Sequence, residues 1–148
     1  MALVADASVG LKWVLQEPDS HLAEALLAAE PDLLVPDFWL GEATNVLWLQ
    51  VRRQRLTPDE ARNGLALLRA VVEPVNTAGM NLHEIALDIG LAVNHSTYDT
   101  LYIAFAIAMG ATSVVVSDAP FARAMRTHPD LAAMVVPLDA WARSQLVD

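Results

Sequence analysis

HSTYDTLYIAFAIAMG, residues 95–110, is the stretch that decides the fold. From Leu101 onward, Ile103, Ala104, Phe105, Ala106, Ile107 and Ala108 leave almost no polar face, and a helix that is apolar nearly all the way round belongs inside a domain. Ser96 or Thr97 can cap its start, and Gly110 ends it. Its first turn carries one carboxylate, Asp99, to which two roles are open. Ser96-x-x-Asp99 has the spacing of a capping box, and an acid there complements the helix dipole. The end of a buried helix is also a rigid mount for polar chemistry.

Short apolar runs lie on either side of this helix. Leu3-Val4-Ala5 reads as a buried strand, with Asp6 or Ser8 capping a helix over Val9–Leu15. A second helix opens at Pro18-Asp19-Ser20, repeats Leu22, Ala25, Leu26 and Ala29 at helical spacing, and stops at Pro31. Leu33-Leu34-Val35 is a second strand between prolines, and a long helix runs from Asp37 to about Arg53. Thr57-Pro58-Asp59-Glu60 is a helix start with cap, first-turn proline and capping-box Glu. That helix reaches about Arg69, and Val71–Val75 reads as a strand that Pro74 weakens, placing it at an edge or at a strand end. Leu82, Ile85, Ala86 and Ile89 mark the helix before the one quoted above. After it come a buried strand at Val114–Val116, a turn at Ser117-Asp118-Ala119-Pro120 into a short helix, a strand at Met134–Val136 and a closing helix over Leu138–Leu146. Alternating short apolar strands and helices predict α/β architecture, with a mostly parallel sheet covered on both faces.

With 148 residues the chain is expected to form one domain over 1–148. A content of 55% hydrophobic and 18% charged residues excludes disorder. The longest apolar stretch, Leu101–Met109, falls well short of the ~20 residues a membrane span needs. The opening Met1-Ala-Leu-Val-Ala meets Asp6 without a basic start, so no signal peptide is expected. Without cysteine there is no disulfide and no thiolate metal site, and the expected compartment is the cytoplasm. The net charge of −9 argues against a general nucleic-acid binder and suits a hard cation or a basic protein partner. The clustered arginines, Arg52, Arg53 and Arg55 foremost, are expected on a solvated helix face.

Against this background four acids stand out. In parallel α/β sheets ligands bind beyond the carboxyl ends of the strands, and Asp6 and Asp118 each directly follow a predicted strand. Asp99 starts the buried helix, and Glu42 sits inside an apolar one with Asn45, Val46 and Leu49 on its own face. Asp6, Asp99 and Asp118 could each be a helix cap, and Glu42 could reach out to solvent. Together they form an all-oxygen set, which selects Mg2+ or Mn2+ rather than a softer metal. Such ions can activate water and stabilise the leaving oxygen of a phosphodiester.

These residues resemble a known family. Asp6-x-Ser8, Glu42-x-x-Asn45-Val46-Leu47, Tyr98-Asp99-Thr100-Leu101-Tyr102 and Ser117-Asp118 look like the PIN-domain nucleases. Size and order look like the VapC-type ribonuclease toxins of toxin–antitoxin pairs, over essentially the whole chain. The resemblance implies a three-layer α/β/α PIN-like domain with a short, mostly parallel central sheet. It also implies a Mg2+-dependent endoribonuclease (Mn2+ being an alternative ion), an RNA substrate and a cognate antitoxin that inhibits it. By the same resemblance Asp6 and Asp99 hold the metal, and Glu42 and Asp118 complete the acidic pocket, Asp118 counting also among the metal ligands. The chain departs from the family at Val116, where Thr or Ser usually stands two residues before the last Asp. Ser117 is adjacent, but on an extended chain it points the other way.

The four histidines, His21, His83, His95 and His128, show no i, i+4 metal spacing, and His95, nearest the acids, is not expected to be a general base. Lys12 is expected to face solvent, and Trp39 and Trp48 to lie in the core. The excess of apolar surface suits a homodimer. A non-catalytic PIN-like module that works by binding a protein partner is the competing function. A phosphoacceptor domain would want paired acids after its first strand and a late lysine, and the sequence has neither.

Overall fold

The structure is a computed structural model that describes residues 2–30, 32–117 and 119–146. Four strands form an all-parallel sheet in the order β2-β1-β3-β4, where β1 is Leu3–Ala5, β2 Leu33–Leu34, β3 Ser113–Val116 and β4 Val135–Pro137. The register pairs Val4 with Leu34 on one side and with Val114 on the other. β1 and β3 are the inner strands, and Val4, Ala5, Val114, Val115 and Val116 are fully buried, as a sheet covered on both faces requires. Helices flank the sheet in the expected three-layer arrangement. No helix among the described residues is long and apolar enough to cross a membrane.

Parallel strands need crossovers, and these are helical. α1 (Ala7–Leu11) and α2 (Ser20–Ala29) link β1 to β2. α3 (Phe38–Arg52), α4 (Pro58–Val71), α5 (Leu82–Val93) and α6 (Thr97–Met109) link β2 to β3. α7 (Ala119–Ala124) and α8 (Pro129–Met134) lead to β4, and α9 (Leu138–Ser144) follows it. The chain leaves β1 toward β2 and leaves β3 toward β4. The connections therefore diverge at the carboxyl ends of the two inner strands, and a crevice opens there.

α6 is the buried helix the sequence predicts. Thr100 and Tyr102 through Ala106 are buried, while the first turn, with Tyr98, and the last, with Ile107, emerge. Ser96 caps it through a bond from the Tyr98 N–H to Ser96 Oγ (3.3 Å), and Gly110 ends it at φ 66°, a left-handed conformation glycine adopts without penalty. α6 packs along α5, and the Thr100 hydroxyl donates to the Ala86 carbonyl at 2.7 Å. The capping box at Thr57 and Glu60 is complete, at 3.1 and 2.9 Å.

Several expectations are corrected. Val71–Val75 is not a strand: α4 continues through Val71, and only Val75 forms a bridge, to Pro36. Val75 N–H donates to Val35 O and Asp37 N–H donates to Val75 O; Pro74 has no N–H with which to extend a ladder. The first helix ends at Leu11 and continues to Leu15 only as turns. α8 was not legible as a helix. Trp39 is fully buried as expected, but Trp48 is 55% exposed, with the Arg52 guanidinium over its ring. Lys12 is buried rather than solvent-facing, paired with Glu17 and, at 2.7 Å, with Asp19.

Candidate functional site

The crevice is a cleft of about 330 Å³ lined by Asp6, Ser8, Glu17, Glu42, Asp99 and Ser117, with Ala7, Leu11 and Val46 as its apolar wall. Asp6, Glu42 and Asp99 are thus brought together from β1, α3 and α6. Asp118, the fourth acid of the set, lies outside the described residues.

Asp6 follows β1 and is the cap of α1, so the cap and the cleft are roles of one residue. Its Oδ1 accepts from Val9 N–H (3.1 Å) and from the Ser8 hydroxyl (2.6 Å). The Ser8 oxygen in turn accepts from Ser117 N–H at 3.1 Å, tying the first turn of α1 to the chain just after β3. Asp6 is only 5% exposed, and among the described residues no Lys or Arg pairs with it. Burial is the main reason its carboxyl is lifted to about 7, with Asp99 and Glu42 adding repulsion against the pull of the Ser8 and Val9 donors.

The mount beneath Asp6 is packed tightly. Its backbone carbonyl accepts from Trp39 Nε1 (3.2 Å), so α3 is fastened to the end of β1. The Trp39 ring lies against Gly10 so closely that a Cβ there would stand 2.3 Å from Trp39 Cζ2. Gly10→Ala must therefore displace a fully buried ring, and the expected cost is about 3 kcal/mol. Urea unfolding reads it as a lower midpoint at unchanged slope; a variant as stable as the parent would show that Trp39 is not clamped there.

Glu42 projects from α3, where its Oε2 accepts the Tyr102 hydroxyl of α6 at 2.9 Å. Phe38 packs edge-on to the Tyr102 ring, with centroids 5.1 Å apart. Burial raises the Glu42 carboxyl above its ordinary range; Tyr102 opposes the shift and Asp99 adds to it. The Tyr102 hydroxyl is raised as well, by burial first and then by the charges of Glu42 and Asp6. Glu42 therefore does not escape to solvent but is held at the cleft wall.

Asp99 does not close the capping box that its spacing from Ser96 allows. Its Oδ2 bonds instead to His95 Nε2 at 2.7 Å. Glu17 was missed by the sequence analysis, although Lys12 within the apolar run Val9–Leu15 was a signal that counter-charges must lie close by. Val116 is fully buried and does not line the cleft, while the Ser8 hydroxyl supplies the contact to the first acid. His21 and His83 are exposed and His128 is half-buried; none of the three lines the cleft. Among the described residues no three His, Asp or Glu side chains stand close enough together to hold a metal ion between them.

A family model described as PIN domain matches residues 3–126. No curated protein matches the chain by sequence. Among solved structures, PAE2754 from Pyrobaculum aerophilum is similar with a TM-score of 0.71 at 16% identity, over 100% of this chain and 91% of that one. VapC20 from Mycobacterium tuberculosis, described as a sarcin-ricin loop cleaving toxin, is similar with a TM-score of 0.64 at 20% identity, over 82% of this chain and 94% of that one. At these identities the likeness is one of fold.

Proposed function

The chain belongs to the PIN domain family, and from this we propose that it is a divalent-metal-dependent endoribonuclease, the toxin of a VapBC-type toxin–antitoxin pair. PIN domains are generally nucleases. The observation that carries the proposal is Asp6, a carboxylate withdrawn from water beside Asp99 and Glu42 with no cation paired to it among the described residues. Buried charge of that kind is costly unless an ion compensates it. The donor set is all oxygen, and Mg2+ is commonly held by one or two carboxylates with water completing its shell. The residues present therefore fit a hard divalent cation, with Mg2+ or Mn2+ as the ion.

Asp6 and Asp99 would hold that ion, with Asp118 as a third ligand. Bound there, it would supply a water of lowered pKa and neutralise charge at the scissile phosphodiester of RNA. Ser8 and Val9 keep Asp6 Oδ1 occupied, which orients the carboxylate without consuming Oδ2. Glu42, raised by burial and steadied by Tyr102, is placed to exchange a proton with water in the cleft. An acidic cleft on an acidic protein is also readily blocked by a basic segment, and we assign the antitoxin's inhibition to that contact. Self-association as a homodimer belongs to the same proposal, supported by exposed Trp48, Leu87 and Leu91, and sedimentation reads it directly.

The test is RNA cleavage by purified protein. Cutting is expected with Mg2+ or Mn2+, is expected to stop on adding EDTA, and is expected to be suppressed by an equimolar small protein encoded beside the gene. Cleavage in EDTA equal to that in Mg2+ would remove the metal mechanism. The burial of Val116 where the family usually carries a hydroxyl favours a second function, a PIN-like binding module without catalysis. Tight binding of the neighbouring protein with no cleavage under either ion would decide for it.

A further inference from the structure

His95 is engaged on three sides, and the acidic set alone gives no reason for it. Its backbone N–H donates to the Gly90 carbonyl at 3.1 Å, and a Cβ at Gly90 would come within 3.0 Å of the His95 carbonyl oxygen. Its ring stacks on the buried Phe121 of α7, with centroids 5.2 Å apart and planes 19° from parallel. Its Nε2 meets Asp99 Oδ2 at 2.7 Å, with the two side chains only 18% and 31% exposed. A carboxylate has no proton to give, so Nε2 carries the hydrogen whether the ring is neutral or charged.

An aspartate in the first turn of a helix has several staggered side-chain positions open to it. One oxygen committed to an immobilised donor selects among them. Asp99 Oδ1 is then left without a protein donor among the described residues, just as Ser8 and Val9 leave Asp6 Oδ2. Each acid thus keeps one oxygen engaged by the protein and one unengaged.

We propose that His95 is a positioning residue, which by donating Nε2–H to Asp99 Oδ2 fixes the Asp99 side chain and presents Oδ1 to a divalent cation in the cleft. This rests on the metal-dependent function proposed above. Outer partners that orient a metal ligand are generally worth about ten- to a hundredfold in metal affinity.

Two substitutions separate positioning from packing. His95→Phe keeps an aromatic ring against Phe121 but has no donor. His95→Gln gives up the ring but carries an amide N–H of similar reach. Mn2+ binding to the intact protein is followed by electron paramagnetic resonance, with melting in EDTA as the check on folding. His95→Phe is expected to weaken Mn2+ about ten- to a hundredfold while melting near the parent, and His95→Gln to recover most of the affinity. In an Asp99→Asn background, His95→Phe should change Mn2+ binding no further. If His95→Phe binds like the parent, or if His95→Gln is the weaker of the two, His95 only packs and the proposal falls. Should His95→Phe not fold, His95→Gln binding no better than Asp99→Asn overturns it equally. A parent that binds no Mn2+ would overturn the metal-dependent function and this proposal with it, whereas a binding parent with an indifferent His95→Phe overturns this proposal alone.

Discussion

Asp6→Asn and Asp99→Asn are each expected to lower Mg2+-dependent RNA cleavage by about two to four orders of magnitude while the circular-dichroism spectrum stays that of the parent. Asparagine keeps the shape of either side chain and removes one charge. At position 6 it can still accept from Val9 N–H and the Ser8 hydroxyl, so the cap of α1 survives. At position 99 the helix cap belongs to Ser96 and is untouched. The loss therefore isolates the charge in the cleft. Single-turnover cleavage of a defined RNA at saturating Mg2+ measures it, and activity within a factor of three of the parent for both variants would remove these acids from the reaction.

Asp6→Asn carries a second large effect, of opposite sign, on stability. The Asp6 carboxyl is raised from an ordinary 3.8 to about 7, chiefly by burial. A group whose folded pKa exceeds its unfolded value binds more protons when folded, so it favours the folded state at low pH. That contribution is complete below about pH 4, shrinks as pH rises, and is gone above the folded value of about 7. About three pH units of displacement correspond to at most about 4 kcal/mol. Metal-free parent above pH 7 thus holds a strained carboxylate, and Asp6→Asn removes it. The variant is expected to unfold at higher urea than the parent at pH 8 in EDTA, with the gap closing as the pH is lowered toward 4. Mg2+ should stabilise the parent at pH 8 and leave the variant almost unmoved. A variant less stable than the parent by the same amount at pH 5 and pH 8 would make Asp6 a helix cap and nothing more.

The elements most legible in the sequence are those whose patterns are satisfied locally. Apolar positions all round α6 leave it nowhere to go but the interior, and Gly110 can end it because only the backbone conformation is at issue there. The capping box at Thr57 is likewise complete within four residues. Val71–Val75 had strand-like composition, yet a run of valines does not determine whether a partner strand stands beside it, and here only Pro36 does. Trp48 and Lys12 each went against their type. An indole can lie exposed under an arginine, and a lysine can be buried when two carboxylates meet it; neither neighbour is read from the residue itself.

For the site the division is similar. Asp6, Glu42 and Asp99 could be singled out from the chain because a carboxylate at a strand end or within an apolar helix is costly wherever the fold puts it. Alternation of short apolar strands with helices was enough to call for a parallel sheet, and hence for a cleft at its carboxyl edge. How the acids are held was a matter of tertiary structure alone. Ser8 in the first turn of α1 meets Ser117 beyond β3, Tyr102 reaches Glu42 from another helix, and Trp39 fastens the turn that carries Asp6. His95 and Asp99 stand four apart in the chain, but the ring is turned onto the carboxylate by its stack on Phe121, which arrives from beyond β3. The chemical type of a site depends on side-chain identity, which the sequence states outright. Which oxygen of each acid is engaged and which is left unengaged depends on contacts between segments distant in the chain, and only the folded packing brings those together.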